Sequence, residues 1–297
     1  MNIIKPPSLK KGDTIGILAT AGAVESKENV LRAKQFFEER GYRVVLSENV
    51  FDKCRYLAGD DEKKVEELHK FFLNPEINAI ICMRGGYGAI RLIEKINYDI
   101  IRQNPKIFCG YSDISALSAM IYKRAGLITY SGPLAQSDFG LENPSTFTIK
   151  AFFDAVTSDN PLVITPSNGV CYLDGDAEGI LWGGNLATIV SLCGIDFLPA
   201  EKFIFFTEEL NESVYRIDKM MTQLMNIKQF SDNVQAIVLG DFLDIDNKNW
   251  LDDLFYEIAD KLQVPVLGGF KITHEKDKVT LPYGAISKLQ NQKLYIR

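Results

Sequence analysis

The sequence has few residues of the kinds that build metal sites. It contains only two histidines, His69 and His274, among 297 residues. Its five cysteines are an odd number, lie far apart and include no C-x-x-C pair. Because a zinc site needs several closely spaced Cys or His ligands, we expect no metal site. We also expect the thiols to be reduced, as they are in the cytoplasm.

Long hydrophobic runs and basic clusters are also missing. No apolar run reaches the about 18 residues that a membrane-spanning helix needs. The N-terminus lacks the apolar segment of a secretory signal. The net charge of -6 and the absence of a basic stripe argue against nucleic acid as the main partner. We therefore expect a cytoplasmic protein that binds neither membranes nor nucleic acid.

The hydrophobic pattern predicts an α/β protein with two domains. Hydrophobic residues make up 46% of the chain and charged residues 24%, which is typical of a globular protein. Nearly continuous apolar runs alternate with helical patterns, which indicates a parallel sheet covered on both faces. One such helix, Asp60–Leu73, is predicted to keep its charges outside. A proline- and glycine-rich stretch predicts an N-terminal domain over residues 1–160, a linker over 161–175 and a second α/β domain over 176–297.

The stretch Lys106–Ser115 carries a candidate nucleophile. A short apolar run and Gly110 lead into Ser112-Asp113, and a helical pattern follows. A serine at a sharp strand-to-helix turn has the geometry of a nucleophile elbow, although Ile114 stands where the G-x-S-x-G pattern has its last glycine. The alternative is that Ser112 or Asp113 caps the following helix. The residues alone leave both interpretations open.

A serine nucleophile needs a base, and histidine suits this role. His69 lies in a charged helical pattern and is predicted to be a solvated surface residue, whereas His274 lies in a loop after a strand. The alternative for His274 is an ordinary surface position. Glu208 and Glu209 follow an apolar strand, so either could orient the imidazole. Alternation does not separate the two, and both could instead begin the next helix.

The segment Arg84–Gly88 is rich in glycine and can approach a ligand closely. Gly86 could donate a backbone N–H to an oxyanion, or the segment could hold a phosphate at the start of the following helix. The P-loop Lys-Ser/Thr is missing, and a plain tight turn is the alternative. Arg84 could bind a substrate carboxylate through its guanidinium.

Seven stretches in order resemble the murein L,D-carboxypeptidase family of serine peptidases, which includes the microcin C self-immunity peptidases. The resemblance spans nearly the whole chain, and its most specific part is Pro105–Asp113. The stretches are Gly12–Ile17, Arg84–Gly88, Pro105–Asp113, Trp182–Leu186, Phe206–Glu209, Tyr215–Asp218 and Thr280–Gly284.

This resemblance implies a role for each matching residue. Ser112 would be the nucleophile, His274 the general base and Glu208 the carboxylate, with the backbone N–H groups of Gly86 and Asp113 as oxyanion donors. It also implies a flavodoxin-like N-terminal domain, a smaller C-terminal β/α domain, a homodimer, and catalysis without metal or cofactor.

The implied reaction is hydrolysis of the L,D-amide bond that releases terminal D-alanine from a murein tetrapeptide, with a small peptide as substrate. One alternative is an amidase of the microcin-immunity type that cleaves peptidyl-nucleotides, in which Trp182 could stack on a base. A tryptophan beside two glycines is also typical of a protein core. Another alternative is a non-catalytic module that binds an anion at Arg84–Gly88 and Ser112.

Overall fold

Residues 2–297 are described by the structure, which is a computed structural model. They divide into two units. Unit 1 runs to Asp159 and also includes Thr280–Pro282, and unit 2 comprises Asn160–Val279 and Tyr283–Arg297.

Unit 1 is built around a six-stranded sheet. Five of its strands are mutually parallel and lie in the order β5-β4-β3-β1-β2, which is the order of flavodoxin, and the strand Leu281–Tyr283 lies beside β5. The continuous apolar sequences of β1 and β4 are fully buried, as expected for central strands with helices on both faces. The strands are β1 (Thr14–Leu18), β2 (Arg43–Leu46), β3 (Ile77–Cys82), β4 (Ile107–Cys109) and β5 (Thr129–Ser131).

Five α-helices accompany this sheet, and polar side chains fix where four of them begin. Ser26, Asp60, Asn97 and Ser145 each accept a hydrogen bond from a backbone N–H in the first turn that follows. The helices are α1 (Lys27–Glu38), α2 (Asp61–Leu73), α3 (Tyr98–Gln103), α4 (Ser115–Ala125) and α5 (Thr146–Val156). Shorter helical turns are Ala89–Arg91, Ser112–Ile114 and Ala135–Phe139.

The prediction that α2 keeps its charges outside is wrong for three of its residues. Asp61, Lys64 and Glu67 are buried, and Lys64 has 0% exposure. Asp61 and Lys64 pair with each other, and Glu67 accepts the backbone N–H of Glu48 and pairs with Lys70. Ion pairs and hydrogen bonds therefore offset part of the cost of burying these charges.

Unit 2 contains an eight-stranded mixed sheet in the order β6-β14-β13-β8-β9-β10-β11-β7. The four strands β8 to β11 are parallel, and the remaining pairs are antiparallel. Its strands are β6 (Leu162–Ile164), β7 (Cys171–Leu173), β8 (Ala177–Asn185), β9 (Phe203–Leu210), β10 (Val234–Leu243), β11 (Val266–Leu267), β13 (Ile286–Gln290) and β14 (Lys293–Ile296), and β12 is the strand Leu281–Tyr283 described above.

The helices of unit 2 follow its strands, and its core is aromatic. Trp182 on β8 is fully buried and contacts the rings of Phe197, Phe203 and Phe205. Residues 161–175, which are predicted as a linker, contain β6 and β7 at the two edges of the sheet. The helices are α6 (Leu186–Val190), α7 (Val214–Met225), α8 (Lys228–Asn233) and α9 (Lys248–Leu262).

The predicted fold class is confirmed: a parallel α/β unit comes first and a smaller β/α unit follows. None of the helices that the structure describes has both the length and the hydropathy to span a bilayer.

Candidate active site

The turn from β4 to α4 places Ser112 in a conformation that side chains rarely adopt. Ser112 has φ 62°, in the left-handed region, and directly starts the helical turn Ser112–Ile114. Gly110 makes the sharp turn possible, because a Cβ there would lie 2.9 Å from the Cγ2 of Ile114 and 3.1 Å from the Cβ of Cys82. A strained serine between a buried strand and a helix is the geometry of a nucleophile elbow.

The glycine-rich segment 84–88 approaches Ser112 closely. A Cβ on Gly85 would lie 3.0 Å from the Cβ of Ser112 and 3.2 Å from its Oγ. Gly86 follows with φ 101°, and the N–H of Gly22 donates to the carbonyl of Gly85 across 3.1 Å. Loops after β1, β3 and β4 therefore meet at one edge of the sheet of unit 1, where parallel α/β sheets bind ligands.

Asp113 bridges two of these loops instead of capping its own helix. Its Oδ2 accepts the N–H of Ala89 across 2.8 Å, and no side chain caps α4 or the helical turn before it. Burial raises the pKa of Asp113 to about 6, although the Ala89 hydrogen bond and the charge of Lys64 lower it. The capping alternative for Ser112-Asp113 is therefore wrong.

Arg84 already holds a carboxylate within unit 1. Its guanidinium lies 2.6 Å from Oε1 of Glu25 and donates to the carbonyl of Ala23 across 3.1 Å. Glu25 has an exposed side chain, so a competing carboxylate can exchange with it. The contact shows that the Arg84 guanidinium has the geometry to bind a carboxylate.

In unit 2, Glu208 and His274 are brought together from positions 66 residues apart. The Nδ1 of His274 lies 2.8 Å from Oε2 of Glu208, which is buried near the end of β9. Gly240 allows the approach of the chain before the histidine, because a Cβ there would lie 2.0 Å from the carbonyl oxygen of Ile272. A histidine oriented by a buried carboxylate is the arrangement of a general base.

Glu209 points to a different set of partners. Its Oε1 accepts the side-chain amide of Asn185 across 2.8 Å, and its Oε2 accepts the N–H of Ala187 across 2.7 Å. Burial raises the pKa of Glu209, while these hydrogen bonds lower it. Neighbouring residues on a strand face opposite sides, so Glu208 contacts the histidine and Glu209 supports the start of α6.

His69 lies on α2 and forms a structural hydrogen bond. Its Nε2 accepts the backbone N–H of Asn97 across 2.9 Å, and partial burial lowers its pKa. Among residues 2–297, no group of three or more His, Cys, Asp or Glu side chains could hold a metal ion.

Sequence reasoning missed one cluster beside the 84–88 segment, formed by the buried residues Lys64 and Asp61 and by the partly exposed Arg91. Asp61 pairs with Lys64 across 3.1 Å and with the Nη2 of Arg91 across 2.6 Å. The available signal was the position of Lys64 on the same face of the helical repeat as Leu68 and Phe71.

Comparison with known proteins gives matches over both units. A family profile described as the LD-carboxypeptidase N-terminal domain matches residues 15–132, and one described as the LD-carboxypeptidase C-terminal domain matches residues 178–289. The chain is 33% identical to a probable murein peptide carboxypeptidase of Bacillus subtilis (strain 168), over 95% of this chain and 90% of that protein.

Two further matches concern microcin immunity. The chain is 30% identical to the microcin C7 self-immunity protein MccF of Escherichia coli, over 93% of this chain and 90% of that protein. The crystal structure of an MccF-like protein from Bacillus anthracis str. Ames superposes on this chain with a TM-score of 0.92 and 29% sequence identity. The superposition covers 99% of each chain.

Proposed function

The chain belongs to the LD-carboxypeptidase family, and on this premise we propose that it is a serine carboxypeptidase. The proposed reaction is hydrolysis of the L,D-amide bond that releases terminal D-alanine from a murein tetrapeptide. The observation that carries this proposal is the contact of His274 with the buried carboxylate of Glu208 across 2.8 Å. The name of the Bacillus subtilis relative supports a murein peptide as the substrate.

In the proposed mechanism, Ser112 attacks the scissile carbonyl. The Nε2 of His274 takes the hydroxyl proton, and Glu208 stabilises the resulting imidazolium. The backbone N–H groups of Gly86 and Asp113 stabilise the oxyanion of the tetrahedral intermediate. His274 then gives the proton to the leaving amine, which departs as D-alanine and leaves an acyl-enzyme on Ser112. Water, deprotonated by His274, releases the acid product and restores the serine.

The binding of the substrate's free carboxylate is assigned to Arg84. Its present contact with Glu25 supports this role, because the incoming carboxylate replaces one of the same chemistry. We further propose that the protein acts in the cytoplasm as a homodimer, as the family resemblance implies. Sedimentation analysis of the purified protein tests the dimer.

The test is mass spectrometry of a mixture of murein tripeptide and tetrapeptide incubated with the protein. The tetrapeptide is expected to lose one alanine, and the tripeptide is expected to stay unchanged. Ser112→Ala and His274→Ala should each lower kcat by about 10³-fold or more, because they act as one unit. His69→Ala is the matched control and should keep wild-type turnover. An unchanged tetrapeptide, or near-normal turnover in either active-site variant, would refute the proposal.

A second candidate is an amidase that cleaves peptidyl-nucleotides, which the matches to MccF and to the MccF-like protein favour. Trp182 is fully buried among aromatic rings, so this residue is a poor candidate for stacking on a base. Parallel assays with a peptidyl-nucleotide amide and the murein tetrapeptide separate the two activities by kcat/KM. Labelling of Ser112 by a fluorophosphonate separates both from a non-catalytic anion-binding module, which would leave Ser112 unlabelled.

A further inference from the structure

Lys64 is a fully buried cation in a helix whose other lysines reach solvent. Its side chain has 0% exposure, and its Nζ lies 3.1 Å from Oδ1 of Asp61 one turn earlier on α2. Removing an ammonium group from water costs several kcal/mol, and an ion pair often fails to offset this cost. Replacing the whole Lys64–Asp61 pair by apolar residues is often neutral for stability, so the presence of the buried cation calls for another explanation.

The ammonium group lies directly against the glycine-rich segment. A Cβ on Gly88 would be 3.3 Å from the Nζ of Lys64 and 2.9 Å from Leu57, and Gly88 has φ 138°. Only glycine adopts this backbone conformation without strain. The backbone of Gly88 therefore lies close to the ammonium group of Lys64.

The same cluster also holds the residues that follow Gly88. The Nε of Arg91 donates to Asp61 across 2.8 Å, so the turn Ala89–Arg91 is tied to α2. The N–H of Ala89 donates to Asp113 across 2.8 Å. The contacts thus link Lys64 to Gly88, Asp61 to Arg91, and Ala89 to Asp113.

The charges of this cluster balance only when Lys64 is present. Asp61 and Asp113 are buried carboxylates with 8% and 6% exposure, and Lys64 and Arg91 are the cations that face them. The charge of Lys64 also lowers the pKa of Asp113. Replacing Lys64 by a neutral residue leaves two buried acids with one cation, which is itself partly exposed to solvent.

We propose that Lys64 is a positioning residue that holds the 84–89 backbone so that the Gly86 N–H faces the oxyanion formed at Ser112. This inference rests on the proposed function, because it assigns Gly86 as an oxyanion donor. Lys64 acts through the backbone and does not touch the substrate.

The test compares Lys64→Met with wild type by steady-state kinetics and by hydrogen exchange of the 84–89 amides. The loss of one aligned oxyanion donor costs about 10²-fold in kcat. We therefore expect Lys64→Met to lower kcat by about 10- to 100-fold, with KM within about threefold of wild type. Exchange in residues 84–89 should accelerate at least about tenfold, while exchange in the central strands stays unchanged. Lys64→Arg keeps the cation and should restore most of the lost turnover.

Lys63→Met is the matched control, because Lys63 is adjacent on α2 and pairs with Asp52 at the surface across 2.8 Å. It should keep wild-type kinetics and exchange. A folded Lys64→Met protein with wild-type kcat, or with exchange raised equally over all of unit 1, would overturn the inference. If Lys64→Met does not fold, Asp61→Asn gives the same two readouts, and unchanged values in it would also overturn the inference.

Failure of the proposed function gives a different result. In that case wild-type protein leaves the tetrapeptide intact, whereas hydrogen exchange still reports whether Lys64 holds the 84–89 segment. The two ideas therefore succeed or fail on separate measurements.

Discussion

The Nδ1 of His274 lies 2.8 Å from Oε2 of Glu208, and the carboxylate is almost fully buried. Because an ionised carboxylate can only accept, the imidazole donates through Nδ1. A neutral His274 then carries its lone pair on Nε2, which is the tautomer that a general base needs. The contact explains how a histidine in a loop acquires a fixed orientation.

Glu208→Gln is expected to lower kcat by about 10²- to 10⁴-fold, because an amide can donate to Nδ1 and favour the wrong tautomer. The melting temperature should stay close to that of wild type, since glutamine has nearly the same shape. Steady-state kinetics and thermal unfolding of the purified variant check both expectations. A variant with wild-type kcat would remove Glu208 from the mechanism.

Glu209→Gln is expected to act on stability instead. The carboxylate accepts from Asn185, Ala187 and Leu210, and an amide group cannot accept all three hydrogen bonds. An unsatisfied buried donor costs about 1–3 kcal/mol in the free energy of unfolding. Urea unfolding measures this loss, and turnover per folded molecule should stay within a factor of about three. Glu208→Gln is the matched comparison. Equal effects of the two variants on kcat and on the free energy of unfolding would contradict the assignment of Glu208 to catalysis and Glu209 to stability.

Gly85→Ala is expected to reduce turnover while the protein stays folded. The added methyl group would lie 3.0 Å from the Cβ of Ser112 and 3.2 Å from its Oγ, so the hydroxyl must move. A displacement of this kind costs about 10²-fold in kcat. Gly268→Ala is the control, because its methyl group would have no neighbour closer than 3.6 Å. Equal kcat values for the two variants would show that the position of Ser112 is not critical.

Asp113→Asn is expected to change how stability depends on pH. Burial raises the pKa of Asp113 from the ordinary value of 3.8 to about 6. Between these values the folded protein keeps a proton that the unfolded chain has lost, so this group lowers stability as pH rises from about 4 to about 6. Asparagine removes the effect, and the variant should gain free energy of unfolding relative to wild type over this range.

Urea unfolding at several values between pH 4 and pH 7 measures the Asp113→Asn effect. Asp99→Asn, a substitution of an exposed residue, provides the control for the loss of one negative charge. If the free energies of unfolding of Asp113→Asn and wild type differ by the same amount at pH 4 and at pH 7, the raised pKa of Asp113 is contradicted.

The sequence predicted what depends on local pattern. Alternating apolar runs gave the parallel sheet of unit 1, and the glycine, serine and helical pattern gave the turn at Ser112. Both follow from the spacing of residues that are close along the chain.

The sequence pattern does not predict which residues far apart along the chain come into contact. Alternation shows that Glu208 and Glu209 face opposite sides of β9, but the partners His274 and Asn185 identify those sides only after folding. Asp113 resembled a helix cap because its true partner, the N–H of Ala89, lies 24 residues earlier. Lys64 was expected in solvent because a single charge in a pattern carries no sign of a buried counterion.

The short segment Thr280–Pro282 belongs to unit 1, although the chain on either side of it belongs to unit 2. A recombinant fragment truncated after Asp159 would therefore lack the strand that lies beside β5. Its terminal strand would present unpaired backbone N–H and C=O groups, which invite pairing with other molecules. Genetic separation of the two halves is thus expected to yield an aggregating first half, because the first sheet is complete only when the chain extends to Tyr283.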